Sequence, residues 1–214
     1  MKVVVCVEPA RLGGAARSAL ALAAGLGPDV AVTALAGAPV PGGKGLLDAC
    51  RCGAGRGVEV VGPGLDGSDA AALGRALAEA ARGLGAELIL AGNRSDREGR
   101  GIIGAAVAHH LGAPYLPGVE ALAIETPGEV VVTLRLGGWR RRLAVTLPAV
   151  LTVAPAPVAD PVASPHAAAE IDVIRVEVSG SRPPPALYGS LDRPRRKPDT
   201  VTSAVELVRR WRLR

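Results

Sequence analysis

Through the first half of the chain, short apolar runs alternate with longer stretches whose apolar positions recur at helical spacing. Residues 2–7 (KVVVCV) are a β-branched run bounded by polar positions, the pattern of a strand buried on both faces. Residues 13–26 set Ala16, Leu20, Ala23 and Ala24 along one helical face and stop at Gly27-Pro28, a helix terminator. Further strands are predicted over 30–35, 57–61 and 86–90, and further helices over 44–52, 69–84 and 101–111. Ser68 is the expected cap of the third helix, with Leu73, Leu77 and Ala80-Ala81 facing inward. The fourth helix carries a stripe of Ile102-Ile103, Ala106-Val107 and His110-Leu111, which makes His110 a packed core histidine. Strands alternating with helices predict a parallel sheet covered on both faces.

The pattern then changes. Residues 119–124, 129–136 and 139–145 read as antiparallel strands turning at Pro127-Gly128 and Gly137-Gly138. Residues 149–153 are one more buried strand, 154–167 are too rich in proline to be regular, and 171–177 suit an edge strand. Residues 179–199 read as an extended arm, and Ser203-Ala204-Val205-Glu206 is a capping box that opens a last helix with Val205, Val208 and Trp211 on one side. Two units are therefore expected: an α/β domain over 1–178 and a partner-gripping arm and helix over 179–214.

Between the strand at 86–90 and the helix that follows lies a loop of unusual composition, AGNRSDREGRGIIG, with four glycines and five charged residues. It leaves a parallel strand at its carboxyl end, where such sheets bind ligands, and enters a helix amino end, where unpaired N–H groups and the dipole favour an anion. That placement points to a phosphate. A charged, solvated turn with no ligand is the alternative.

Composition narrows the classes. The chain has 214 residues, 49 % of them hydrophobic, so a substantial core can form, and aromatics are only 2 %, with no phenylalanine, so that core is built of Val, Leu, Ile and Ala. No apolar run approaches the roughly 20 residues of a membrane span, and the opening MKVVVCVE is too short for a signal peptide; a soluble, cytoplasmic chain is expected. Cys6, Cys50 and Cys52 are an odd number with CxC spacing, and adjacent His109 and His110 make a poor metal clamp, so neither a disulfide framework nor a metal site is expected. The formal net charge is +5, and from Ser181 onward nine basic residues face three acidic ones, which accounts for the whole excess. A basic tail with few aromatics suits an acidic partner protein better than nucleic acid. Arg140-Arg141-Arg142 beside Trp139 reads as a solvated strand end, with contact to a phosphate or a cofactor ring as the alternative. There is no GxSxG elbow, no GxxxxGK[ST] and no HExxH, so no catalytic set is identified.

Several segments together resemble the β subunit of electron-transfer flavoproteins, including nitrogen-fixation-associated forms, over nearly the whole chain. They are MKVVVCVE, CGAGRGVEV (52–60), DGSDAAALGRALAEAARGLGAELILAG, VAHHLGAP, TLPAVLTV (146–153) and KPDTVTSAVELVRRW. GNRSDREGRGIIG has the length and both boundary glycines, Gly92 and Gly104, of that family's nucleotide-binding loop, G-x-Q-A-I-D-x-D-x-x-Q-x-G. The resemblance implies a Rossmann-like, doubly wound, mainly parallel sheet of the adenine-nucleotide-binding type, with added antiparallel hairpins. It implies a heterodimer with an α subunit that carries most of an FAD, an AMP or second FAD in the chain's own pocket, and electron transfer from a flavin dehydrogenase to an acceptor. By position Cys6 would line the adenine side, Ala36 and Gly37 would lie at the second strand's end, and Gly92, Asn93, Arg94, Ser95, Asp96, Arg100, Gly101, Ile102, Ile103 and Gly104 would wrap the phosphate.

The chain also departs from that pattern. The loop's acidic pair becomes Arg97 and Gly99, and the polar residues before its last glycine become Gly101, Ile102 and Ile103. Backbone N–H groups and the charge of Arg94, Arg97 or Arg100 are left to meet a phosphate. The segment between the first strand and first helix is short and lacks the family's hairpin and N-P-[FY]-D motif, and VASPHA places Ser164 where the dehydrogenase-docking loop has leucine. Two other readings stay open: an adenine-nucleotide sensor of the universal-stress type, and a degenerate β-subunit scaffold that has lost its own nucleotide.

Overall fold

The computed structural model describes residues 1–67, 69–95, 99–156 and 171–175. The elements are β1 (Lys2–Cys6), α1 (Gly14–Ala24), β2 (Ala31–Ala38), α2 (Lys44–Arg51), β3 (Arg56–Val61), α3 (Ala70–Gly83), β4 (Leu88–Gly92), α4 (Ile103–Leu111), β5 (Tyr115–Thr126), β6 (Glu129–Leu136), β7 (Trp139–Thr146), β8 (Ala149–Val153) and β9 (Ile171–Arg175). The strands form one sheet in the order β7-β6-β5-β8-β4-β1-β2-β3-β9. From β5 across to β9 every neighbouring pair is parallel, while β5–β6 and β6–β7 are antiparallel. This is the doubly wound α/β fold with antiparallel hairpins that the hydrophobic pattern predicts.

Why the parallel strands read as unbroken apolar runs follows from what covers them. Side chains alternate across a strand. Val3 and Val5 of β1 pack with Ala19, Leu20 and Ala23 of α1 and with Leu46 and Ala49 of α2. Val4 and Cys6 pack on the other face with Leu77, Ala78 and Ala81 of α3 and with Val107 and Ala108 of α4. Neither face meets water, so neither can be polar. With no phenylalanine available, density comes from close approach of small residues: a Cβ on Gly74 of α3 would run into Ala106 of α4, so these two helices touch almost backbone to backbone.

The antiparallel strands obey the opposite rule. In β6, Val130, Val132 and Leu134 are buried in alternation with less covered neighbours. Thr126 pairs with Glu129 and Leu136 with Trp139, so Pro127-Gly128 and Gly137-Gly138 close two-residue hairpins, with φ of +83° at Gly128 and +62° at Gly137. Glycine is favoured where φ is positive.

Some boundaries differ from the sequence reading. Asp69 caps α3, its carboxylate accepting from the Ala71 and Ala72 N–H groups at 2.9 and 3.0 Å, while Ser68 lies outside the described residues. α4 starts at Ile103, not at 101, because Gly101 lies against the Asn93 carbonyl and Ile102 is the N-cap, 48 % exposed. His110 is half-buried and stacks edge-on against His109 with ring centroids 5.2 Å apart, so the apolar stripe does not extend through it. β2 runs on to Ala38 because Ala36, Gly37 and Ala38 stay paired with β3. β5 starts at Tyr115, pairing parallel to β8 before it turns to β6. β9 is an edge strand parallel to β3, tied to it by an Arg56–Asp172 ion pair. The remainder of the predicted edge strand, most of the proline-rich segment and the arm with its terminal helix lie outside the described residues. No helix among the described residues is long and apolar enough to cross a membrane.

Candidate functional site

β1 and β4 are parallel neighbours, with Cys6 level with Ala91, yet the chain leaves them on opposite faces, β1 into α1 and β4 into α4. Where connections part like this the carboxyl ends of the strands leave a crevice. The crevice is present. A hollow of about 110 Å³ is walled by Cys6, Val7, Gly37, Leu73, Leu77, Ala91 and Ile103 among others. A second, of about 230 Å³, shares Glu8, Pro9, Gly37, Leu73, Ser95, Arg100 and Ile103 with it and extends toward Pro39, Leu65, Asp66 and Ala70. The two adjoin through these shared residues and form one groove.

The loop after β4 forms one rim. Its start is tied to the sheet, where the Asn93 N–H donates to the Val153 carbonyl at 2.9 Å. It then closes on itself: Ser95 N–H donates to Arg100 carbonyl at 2.8 Å, and Gly99 N–H donates to Ser95 carbonyl at 2.9 Å. Gly99 has φ +67°, the turn residue that lets the loop come back. Arg94 and Arg100 both border the groove. The amino end of α4 has no side-chain cap, in contrast to α3, whose amino end is taken by Asp69. Of the two helix starts, only that of α4 keeps its first N–H groups for something other than its own side chain.

The sequence-derived residues divide into three groups. Cys6, Gly37, Gly92, Arg94, Ser95, Arg100 and Ile103 border the groove, with Ile102 at the larger hollow. Ala36, Asn93, Gly101 and Gly104 shape it from behind. Ala36 is fully buried in β2; Gly101 allows the loop to pass the Asn93 carbonyl, and Gly104 allows α4 to seat against Thr152 of β8 and Tyr115 of β5. Asp96 lies outside the described residues. The opposite wall, Glu8 and Pro9 from the β1 exit with Leu73 and Leu77 of α3, is missing from that set. Leu73 and Leu77 carried a signal, since they are the inward positions of α3; a side chain on Gly37 would collide with Leu73, which lies over the strand there.

The floor is apolar and uncharged. Burial pushes the Cys6 thiol up to about 12, so it stays protonated and serves as a soft apolar contact, not as a nucleophile. Cys50 is also raised by burial. All three cysteines are free thiols. Among the described residues no three His, Cys, Asp or Glu side chains gather as a metal site. The arrangement offers an apolar hollow bordered by cations and a helix amino end, which suits a ring carrying a phosphate.

Residues 3–180 match the family model described as "Electron transfer flavoprotein domain". The chain is 33 % identical over 128 residues to the electron transfer flavoprotein subunit beta of Mycobacterium tuberculosis, a match covering 59 % of this chain and 48 % of that protein. The protein of the same name from Mycobacterium bovis gives the same figures, and that from Mycobacterium leprae is 32 % identical over 123 residues, 57 % of this chain and 46 % of its own length. The chain spans about half the length of the curated relatives it matches.

Proposed function

The chain belongs to the electron transfer flavoprotein family, as a divergent member of the β-subunit type, and we propose that it pairs with an α subunit to hold an FAD between them and carries an adenine nucleotide in its own groove. FAD would supply the electron transfer between a flavin dehydrogenase and an acceptor. The work of this chain is to present a rigid wall to the partner and to keep the nucleotide in place.

The groove at the β1/β4 switch point carries this reading. Its contents fit an adenine nucleotide: glycine and leucine surfaces at Gly37, Leu73 and Leu77 for a flat ring, a neutral thiol at Cys6, and Arg94 and Arg100 beside an uncapped helix start for phosphate. The side-chain hydroxyl and amide of the family's loop are absent, so backbone donors and arginines take the phosphate in their place. The hairpins and the length of the sheet beyond β8 exceed what a universal-stress type sensor needs, and favour a chain with a partner to meet.

Native mass spectrometry of the protein from its own source tests this. A heterodimer with one FAD and one AMP is the expected result. Two FADs would assign the second flavin to this groove. One FAD with no second nucleotide would leave the heterodimer and remove the groove's ligand, as the degenerate-scaffold reading holds. A lone chain with AMP or ATP would replace the proposal with the sensor.

A further inference from the structure

Glu59 lies in the middle of β3, among Gly57, Val58, Val60 and Val61, and only 1 % of it is exposed. A buried carboxylate is costly unless hydrogen bonds replace the water it gives up. Both oxygens are engaged: Oε2 accepts from the Gly42 N–H at 2.8 Å and Oε1 from the Gly43 N–H at 3.2 Å. Gly43 is the N-cap of α2 and has no side chain with which to cap it. Glu59 takes the two N–H groups just before the helix, while the Pro9 carbonyl takes that of Gly45 in its first turn.

The loop so anchored touches the groove. Gly45 N–H donates to the Pro9 carbonyl at 2.9 Å. A Cβ on Gly43 would collide with the Pro9 carbonyl oxygen, and one on Gly45 with that of Glu8. Glu8 and Pro9 border both hollows. A continuous path of backbone contacts therefore runs from the Glu59 carboxylate through Gly42-Gly43 and Gly45 to the wall facing the β4–α4 loop.

We propose that Glu59 is a positioning residue for the groove: without touching a ligand, it fixes the loop before α2 and, through that loop, the Glu8–Pro9 wall. The consequence for ligand binding rests on the nucleotide reading above; the consequence for the wall does not. Amidation would turn one acceptor into a donor facing an N–H. Glu59→Gln is therefore a strong test despite keeping the shape.

Hydrogen exchange by mass spectrometry on peptides covering 8–12 and 40–47 is compared with AMP affinity by calorimetry. Both use the full chain with any partner it retains. Wild type, Glu59→Gln and the milder Glu59→Asp, which keeps the charge but retracts it, are measured beside Leu134→Ala, a destabilising change in β6. The expectation for Glu59→Gln is exchange about tenfold faster in both peptides and AMP dissociation constants about tenfold higher, as loss of a charge-assisted hydrogen bond gives. Leu134→Ala is expected to lower the melting temperature while leaving AMP affinity within about twofold. Unchanged exchange in Glu59→Gln, or faster exchange with AMP affinity intact, overturns the proposal. Should wild type bind no AMP, the nucleotide reading falls separately and exchange alone decides: spread into 8–12 supports the path to the wall, and confinement to 40–47 refutes it. If Glu59→Gln does not fold, Glu59→Asp is judged by the same outcomes.

Discussion

The parallel and antiparallel parts of this sheet are built from similar residues under different rules. In β1 and β3 every residue after the first is buried, and in β8 every residue is. In β7 only Val145 is, and Trp139 stands 77 % exposed at its start. The parallel strands β8, β4, β1, β2 and β3 are clamped between helices, and the ends of β1, β2 and β4 border the groove. The antiparallel part packs on one face and leaves the other open, with Arg140 paired to Glu120 and Arg142 to Glu125 across it. One part holds a site by rigidity; the other offers a surface that tolerates change.

Glycine replacement separates the two most strongly. Gly45→Ala places a methyl on the backbone carbonyl of Glu8 and threatens the Gly45–Pro9 hydrogen bond. It is expected to cost more than about 3 kcal/mol or to prevent folding. Gly138 in the β6–β7 turn has open space around it and no positive φ, so Gly138→Ala is expected to fall within about 0.5 kcal/mol of wild type. Urea denaturation of the two variants checks this; equal losses would erase the distinction. Core truncation comes next. Leu134→Ala removes a buried side chain of β6 and is expected to cost about 2–4 kcal/mol, against under about 0.5 kcal/mol for Trp139→Ala on the next strand. A large loss at Trp139 in the isolated chain would mean that the open face is packed after all.

These same differences decide what the sequence could tell. Burial on both faces leaves a mark on every residue, and so β1, β8 and the fold class were legible. The β4–α4 loop was legible from its length, its charge and its bounding Gly92 and Gly104. Its far wall was not. Glu8 and Pro9 look like any polar strand exit, and Glu59 is a lone charged residue in the strand predicted over 57–61. What makes Glu59 buried is the Gly42-Gly43 backbone folded over it, a pairing across 16 and 17 residues that no local pattern records. The cap of α3 shows a simpler limit: Ser and Asp are both good caps, so the sequence could not tell that Asp69 is the N-cap, its carboxylate accepting from Ala71 and Ala72.

Alkaline pH sharpens the contrast at a single residue. Burial raises the Cys6 thiol from 9.0 to about 12, so the folded state keeps a proton that the unfolded chain gives up. The stabilisation is complete below the unfolded value, and is lost as pH rises from about 9 toward about 12, at up to about 1.4 kcal/mol per pH unit. Cys6→Ala is expected to flatten the stability–pH curve over that interval by this increment and to leave its shape at pH 6–8 unchanged. Parallel curves for the two proteins would mean that the groove admits enough water to solvate a thiolate.

The smallest effect belongs to the open face. Arg142 and Glu125 pair across the antiparallel strands with both side chains more than half exposed to solvent. Water screens such a pair, and holding two long side chains together costs entropy, so a double-mutant cycle with Arg142→Ala and Glu125→Ala is expected to give a coupling under about 1 kcal/mol. Salt distinguishes a solvated surface from a covered one. In the isolated chain the coupling should fade as ionic strength rises from 0.01 to 0.5 M, where the screening length falls from about 30 Å to only a few ångströms. If the same cycle in the purified complex keeps its coupling at high salt, a partner has excluded water from this face, and the tolerance of the antiparallel part is a property of the free chain alone.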